Sequence, residues 1–249
     1  MKPTTQRTLS SLLIVLLFSF GISLSSFAQE ELSETRSLDS FSKLNATNGI
    51  NVLLRKSSEN KVDVRISNGL LSDVITEVKS NTLRVRMRPQ INKELSVLVV
   101  VFYKSLDEIV VTKGASLETK TVILTDKLEI DAKTGGSVKA EIEASDVKLT
   151  ASGGGDINLY GWAKRFEVNA NTKGSVQAKT LKADRAFVRA STGGEVWVHP
   201  KEYLEAVANS GATIFYTNKA DKINERVSSG GEVRNKVSKI GNNLIRDVE

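Results

Sequence analysis

"AKTGGSVKA", residues 132–140, sets two glycines between two stretches in which apolar and polar residues alternate. Near copies follow as "ASGGGDINL" (151–159), "ANTKGSVQA" (170–178) and "ASTGGEVWV" (190–198). With Gly136 as origin, equivalent positions fall at Gly155, Gly174, Gly194, Ala212 and Gly231, at spacings of 19, 19, 20, 18 and 19 residues. A fixed period of this length marks a solenoid, whose coils bury their apolar faces only against one another.

The columns beside the turn give the architecture. Two residues after it stand Val138, Ile157, Val176, Val196, Ile214 and Val233, and four before it Ala132, Ala151, Ala170, Ala190, Ala208 and Val227. Polar residues such as Glu129, Lys148 and Glu167 fall between, so the period is two and one face of each strand is dry. Such strands stacked at about 4.8 Å form a parallel β-helix with continuous interior ladders. A leucine-rich repeat would need columns of Leu and a buried Asn ladder, and neither is present.

The glycines read as corners, where positive φ carries no Cβ penalty, with the Ala column fitting a cramped interior. A phosphate-cradling loop would lead into a helix and carry Lys-Ser/Thr, whereas each glycine pair here runs into another strand. "GGGDINLYG" is faintly similar to a calcium-binding nonapeptide, but Asp156 has no counterpart in the other coils.

Composition bounds the rest. Residues 1–28 read as a signal peptide: a basic start at Lys2 and Arg7, an apolar run from Leu12 to Phe20, and Ser26-Phe27-Ala28 before the expected cleavage. Removing those two basic residues takes the formal charge from +6 to +4, with both signs interspersed, which argues against a nucleic-acid partner. The absence of cysteine rules out disulfides, thiolate metal sites and N-terminal lipidation. No later apolar run is long enough for a membrane-crossing helix, so no transmembrane segment is expected in the mature chain. The expected organisation is a linker at 29–40, a β-rich N-terminal part at 41–112 continuous with the solenoid, coils at 113–235 and a tail at 236–249.

From Phe41 to about Thr112 the period is two without the longer repeat. "VDVRI" (62–66), "LRVRM" (83–87) and "SVLVVVF" (96–102) read as strands, "SNG" (67–69) and "KSN" (79–81) as turns, and "LLSDVITEV" (70–78) as a helical turn or a strand. "IVVTKGASLETK" (109–120) reads as an irregular first coil. With "FSKLNATNGINVLLRK", which contains Gly49-Ile50-Asn51, then "LRVRMR", "SLDEIVVTKGAS" and the Gly-Gly-x-Val turns, the chain resembles the putative auto-transporter adhesin, head GIN domain family over residues 38–235. The resemblance implies a right-handed, single-stranded β-helix with an irregular β-rich N-terminal cap, exported to a bacterial envelope. No membrane-spanning barrel of girdled strands is expected after residue 235, so the resemblance does not extend to self-translocation.

Catalytic constellations are sparse. His199 is the only histidine and stands before a proline with no orienting partner in sequence, and no Gly-x-Ser-x-Gly elbow occurs. Asp126, Asp184, Glu202 and Asp221 recur ten residues before their turns, a column that Lys164 interrupts. Stacked carboxylates can raise one another's pKa, but Asp is also favoured at solvated turns. The most distinctive outward feature is aromatic: Trp197 and Phe215 follow one another in one column, with Phe187 and Val207 outward across the turn. An exposed patch of this kind suits the C-terminal tail (Ile240, Leu244, Ile245), a protein partner or second copy, or the flat face of a glycan. The reading is an exported, non-enzymatic, adhesin-like binding or structural module of the periplasm or cell surface, with no cofactor and no metal. A polysaccharide lyase or hydrolase on the same scaffold is the alternative.

Overall fold

The structure is a computed structural model that describes residues 31–89 and 95–236. The signal segment expected at 1–28 and the tail residues 237–249 lie outside the described residues. The chain is nearly all β, wound as a β-solenoid of about seven turns with a curled sheet at its N-terminal end.

The regular coils run from β10 (Ile123–Lys133) through β11 (Ser137–Ser152), β12 (Asp156–Asn171), β13 (Ser175–Ala190) and β14 (Glu195–Ala208) to β15 (Thr213–Tyr216). All pair in parallel, and Val138, Ile157, Val176, Val196 and Ile214 fall in direct register as one fully buried ladder. The Ala column of residues 132, 151, 170, 190 and 208 is buried beside it, and among the described residues no polar or charged residue is buried. Each Val or Ile taken from water contributes about 1.5–3 kcal/mol, offset by the ordering of the coil that carries it, so stacking stabilises what a single coil cannot.

Each corner divides its work between two positions. Thr134 and Gly135 are both left-handed (φ 53° and 71°), and Gly136 N–H closes the turn on Lys133 O at 3.0 Å. Gly136 itself has no left-handed φ; a Cβ there would run into the backbone carbonyl of Val111 in the coil below. Positive φ is therefore the reason for the first glycine, and close approach of backbones the reason for the second, a distinction the repeat alone does not reveal. Thr172 and Lys173 keep the left-handed pair with side chains attached (φ 48° and 59°). The corners also bond to one another along the axis, as in Gly135 N–H to Gly153 O at 3.1 Å and Gly154 N–H to Thr172 O at 3.2 Å.

Chain order and spatial order part company in the N-terminal region. β2 (Lys43–Thr47) and β3 (Asn51–Lys56) flank a corner at Asn48-Gly49 and stack on β8 (Glu108–Thr112) and β9 (Ser116–Thr119), which flank Lys113-Gly114. On their other side lie β6 (Thr82–Met87) and β7 (Ser96–Tyr103), parallel to β2 and β3, so a later segment forms the coil beneath an earlier one. "IVVTKGASLETK" is thus not the first coil in space. Antiparallel strands close this end: β4 (Lys61–Ser67) on β7, β1 (Glu31–Ser37) on β4, and β5 (Val74–Lys79) on β6. "LLSDVITEV" supplies both expected forms, a 3-10 turn at Leu71–Asp73 and then β5.

One insertion disturbs the regular coils. The 20-residue spacing from Gly174 to Gly194 is absorbed in β13, where pairing with β12 slips between Asn158 and Tyr160 and pairing with β14 is interrupted between Gln177 and Lys182. Lys179 lies in that bulge. The last coil, β16 (Lys222–Val227) and β17 (Glu232–Asn235), is largely exposed, as terminal repeats commonly are.

Candidate functional site

The outward columns decide what the solenoid presents. Trp197 on β14 and Phe215 on β15 are register neighbours whose rings stack at 4.1 Å and 18°. From the coil on the other side, the Lys179 ammonium sits 3.9 Å from the Trp197 ring centroid, so the β13 bulge places a cation against the indole. Trp197 Nε1–H donates to Glu195 Oε1 at 2.8 Å, and Gln177 Nε2 donates to the same oxygen at 3.2 Å. Both rings are half-buried, contrary to the expectation of an exposed pair. Rings stacked along the axis turn their faces to each other and their edges to water, whereas a sugar needs a face.

Phe187 and Val207 are also half-buried and lie across the Ser191–Gly194 corner, Phe187 opposite Glu205 and Val207 opposite Arg189. The Phe187 ring tilts against Tyr203 at 5.5 Å and carries the Arg165 guanidinium at 4.1 Å, while Arg185 lies 5.4 Å from the Tyr203 ring. Val207 pairs in register with Arg189 and Arg226 and helps line a shallow groove of about 260 Å³ with Asn169 and Asn171. The four residues expected to form one patch are thus divided between the two sides of a corner, each side backed by cations.

Among the described residues the two exposed rings are others. Tyr160 and Trp162 are 41% and 38% exposed and bracket Gly161, whose φ of 107° and whose approach to the Ile142 carbonyl leave no room for a Cβ. Trp162 Nε1–H reaches Asp184 Oδ1 at 3.4 Å. In register below lie Glu141 and Glu143, and above lie Thr180 and Lys182. The sequence signal was available: in "LYGWA" (159–163) Leu159 and Ala163 point inward, so Tyr160 and Trp162 must point out.

The carboxylate column keeps to one corner, with Asp184, Glu202 and Asp221 in adjacent coils. Asp126, Glu202 and Asp221 are exposed at a corner that the ladders skip, as in the step from Thr125↔Ala144 to Lys127↔Asp146. The larger groove, about 510 Å³, is walled by Asp107, Lys127, Glu129, Asp146, Lys148, Arg165 and Glu167. Two of its four carboxylates face cations: Glu129 meets Lys148 at 2.7 Å and Glu167 meets Arg165 at 3.5 Å. The hydrogen bond that Lys148 donates to Glu129, then the charge of that carboxylate, holds the Lys148 ammonium pKa above its ordinary value. Asp156 accepts from Asn158 Nδ2 at 2.8 Å, and among the described residues no three metal-ligating side chains converge. His199 Nδ1 lies 2.9 Å from Thr217 Oγ1; burial first, and the Lys182 charge second, push its pKa down. Among the described residues no helix is long and apolar enough to cross a membrane.

Comparison with known proteins agrees with this architecture. A putative adhesin from Bacteroides fragilis is similar at 19% identity and a TM-score of 0.75, covering 84% of this chain and 98% of its own. A putative adhesin from Parabacteroides merdae is similar at 16% identity and a TM-score of 0.67, covering 84% and 97%. A structure described as a putative lipid binding protein, from Parabacteroides distasonis, is similar at 18% identity and a TM-score of 0.60, covering 85% and 98%. At these identities the likeness is one of fold. No curated protein matches the sequence. The family model described as putative auto-transporter adhesin, head GIN domain matches residues 40–220, from just before β2 to just beyond β15, and the chain belongs to that family.

Proposed function

We propose that the chain is an exported, non-enzymatic binding module of the bacterial cell envelope, whose outward ladders make the contacts. Family membership and the adhesin-like neighbours support an adhesive role. The observation that carries the reading against an enzyme is the arrangement in the groove of about 510 Å³, where Glu129 and Glu167 are each paired with a cation instead of with another carboxylate. A glycosidase needs two carboxyl groups set across one bond, about 5–9.5 Å apart, with their pKa values pushed in opposite directions. In-register walls suit adhesion for a further reason: side chains on hydrogen-bonded coils are preorganised and lose little freedom on contact. Within this reading the Trp197–Phe215 stack and, across the corner, Phe187 and Val207 stiffen their walls and contribute their edges to a protein partner or a second copy.

The test is co-sedimentation of residues 29–249 with whole envelope, peptidoglycan and polysaccharide fractions, while released reducing ends or unsaturated sugars are measured. Retention without release is expected. Release that Asp146→Asn abolishes would establish the enzyme reading instead, and absence from every pellet would remove the binding one.

A further inference from the structure

The geometry points to a platform for a neutral, hydroxyl-rich glycan at Tyr160-Gly161-Trp162, a deepening that rests on the binding-module reading above. Among the described residues no other ring or cation covers Tyr160 or Trp162, in contrast to Trp197, which is held between Phe215 and Lys179. Both rings stand on one rigid coil two residues apart, about 6.6 Å along the strand, a separation that seats neighbouring units of a sugar chain. Gly161 fixes this arrangement. Its missing side chain lets the strand draw against the Ile142 carbonyl, in a conformation that L side chains rarely adopt.

The surroundings select the ligand's charge. Glu141 and Glu143 flank the rings from the coil below, Asp184 accepts the Trp162 N–H, and Lys182 and Thr180 lie above. With Lys164 opposite Asp184, between the pairs Ala163↔Ala183 and Arg165↔Arg185, three carboxylates against two ammonium groups give a local formal balance of 2 − 3 = −1, which disfavours uronic or sulfated polymers. The same carboxylates accept hydrogen bonds from sugar hydroxyls, and such charge-assisted bonds are stronger than neutral ones. Apolar sugar C–H faces against the rings supply area, and the carboxylate rim supplies orientation. Leu124, 62% exposed in the same column two coils below, adds an apolar contact beyond Glu143.

Two tryptophans are present, so Trp197→Phe leaves Trp162 as the sole indole reporter. Titrating this variant of residues 29–249 with neutral gluco- and manno-oligosaccharides is expected to shift its emission saturably. On affinity gels containing neutral polysaccharide, Tyr160→Ala and Trp162→Ala should each weaken retardation at least about tenfold, roughly 1.4 kcal/mol. A heparin or alginate gel should not retard the parent by more than a buffer control. Equal retardation of parent and both variants, or no retardation by any neutral polymer, overturns the platform. Preference for an amino-sugar polymer such as chitosan overturns the neutral assignment. If parent and variants co-sediment equally with envelope fractions while neutral glycans fail, the platform falls and the binding module stands; if the parent sediments with nothing, both fall.

Discussion

The regular coils and the N-terminal coils share one corner but fill it differently. Along the column that follows the left-handed pair, the residues in spatial order are Ile50, Ala115, Gly136, Gly155, Gly174, Gly194, Ala212 and Gly231. Ile50 and Ala115 are buried with their side chains, whereas a Cβ on Gly155 would collide with the Ala132 carbonyl beneath it. Identical backbone turns therefore tolerate side chains where the underlying coil leaves space, and demand glycine where successive coils close on each other. The N-terminal region also departs from sequence order, since β6 and β7 return from far along the chain to stack beneath β2 and β3.

The sharpest test of this contrast is Gly155→Ala beside Gly154→Ala. The first sets a methyl against backbone that cannot step aside and should cost about 3 kcal/mol or more. The second meets nothing within 4 Å and bears only the left-handed penalty (φ 74°), about 1–2 kcal/mol. In the N-terminal corner, Ala115→Gly should cost only about 0.5–1 kcal/mol, from backbone entropy and one lost methyl. Urea midpoints with unchanged m-values would measure all three. Equal losses for the two adjacent glycines would break the division of labour at the corner.

A smaller effect separates the faces of one strand. Ala151→Leu should overpack the interior column and cost about 1–3 kcal/mol, whereas Lys148→Leu loses only the exposed pair with Glu129. Comparable midpoints for both would mean that the Ala column has room the ladder does not show.

How far the sequence goes follows from the same geometry. Where coils follow one another in the chain, register can be read as a period, so the ladder from Val138 to Ile214 is legible in the sequence. The stacking of β6 on β2 is not, because its partners stand about 39 residues apart (Lys43↔Thr82) with no repeat linking them. Nor is the role of Gly136, since a close approach to the Val111 carbonyl is a distance between coils. At the surface, alternation shows which rings point outward but not what lies against them. Trp197 and Phe215 point outward by that rule, yet stacking and Lys179 leave them half-buried, while Tyr160 and Trp162 in "LYGWA" point outward by the same rule and stay exposed.

The two aromatic sites should differ in stability as they do in cover. Trp197→Ala removes a stacked ring and a cation contact, and should cost about 1–2 kcal/mol. Trp162→Ala removes an exposed ring held by one long hydrogen bond, and should stay within about 0.5 kcal/mol. Thermal melts in which both variants shift alike would erase the distinction between a structural stack and an open platform.

The smallest expected effect is a pH dependence beside the β13 bulge, where the regular coils are least regular. Burial and the Lys182 charge lower the His199 pKa in the folded chain from its ordinary 6.5. Thr217 Oγ1 can give its proton to the carbonyl of Lys179 or Val198, both at 3.3 Å, leaving its oxygen to accept from His199 Nδ1–H. Protonation of the other ring nitrogen then sets an imidazolium in partly dry surroundings near Lys182. Because the unfolded chain takes up that proton first, stability should be lost as pH falls below about 6.5, until the folded pKa is passed. Half-exposure and screening keep the loss small. Urea midpoints from pH 7.5 to 5.5 should slope downward for the parent and less so for His199→Asn, the difference between the two isolating this group from the carboxylates. Parallel slopes would show that the bulge leaves His199 as solvated as a free imidazole.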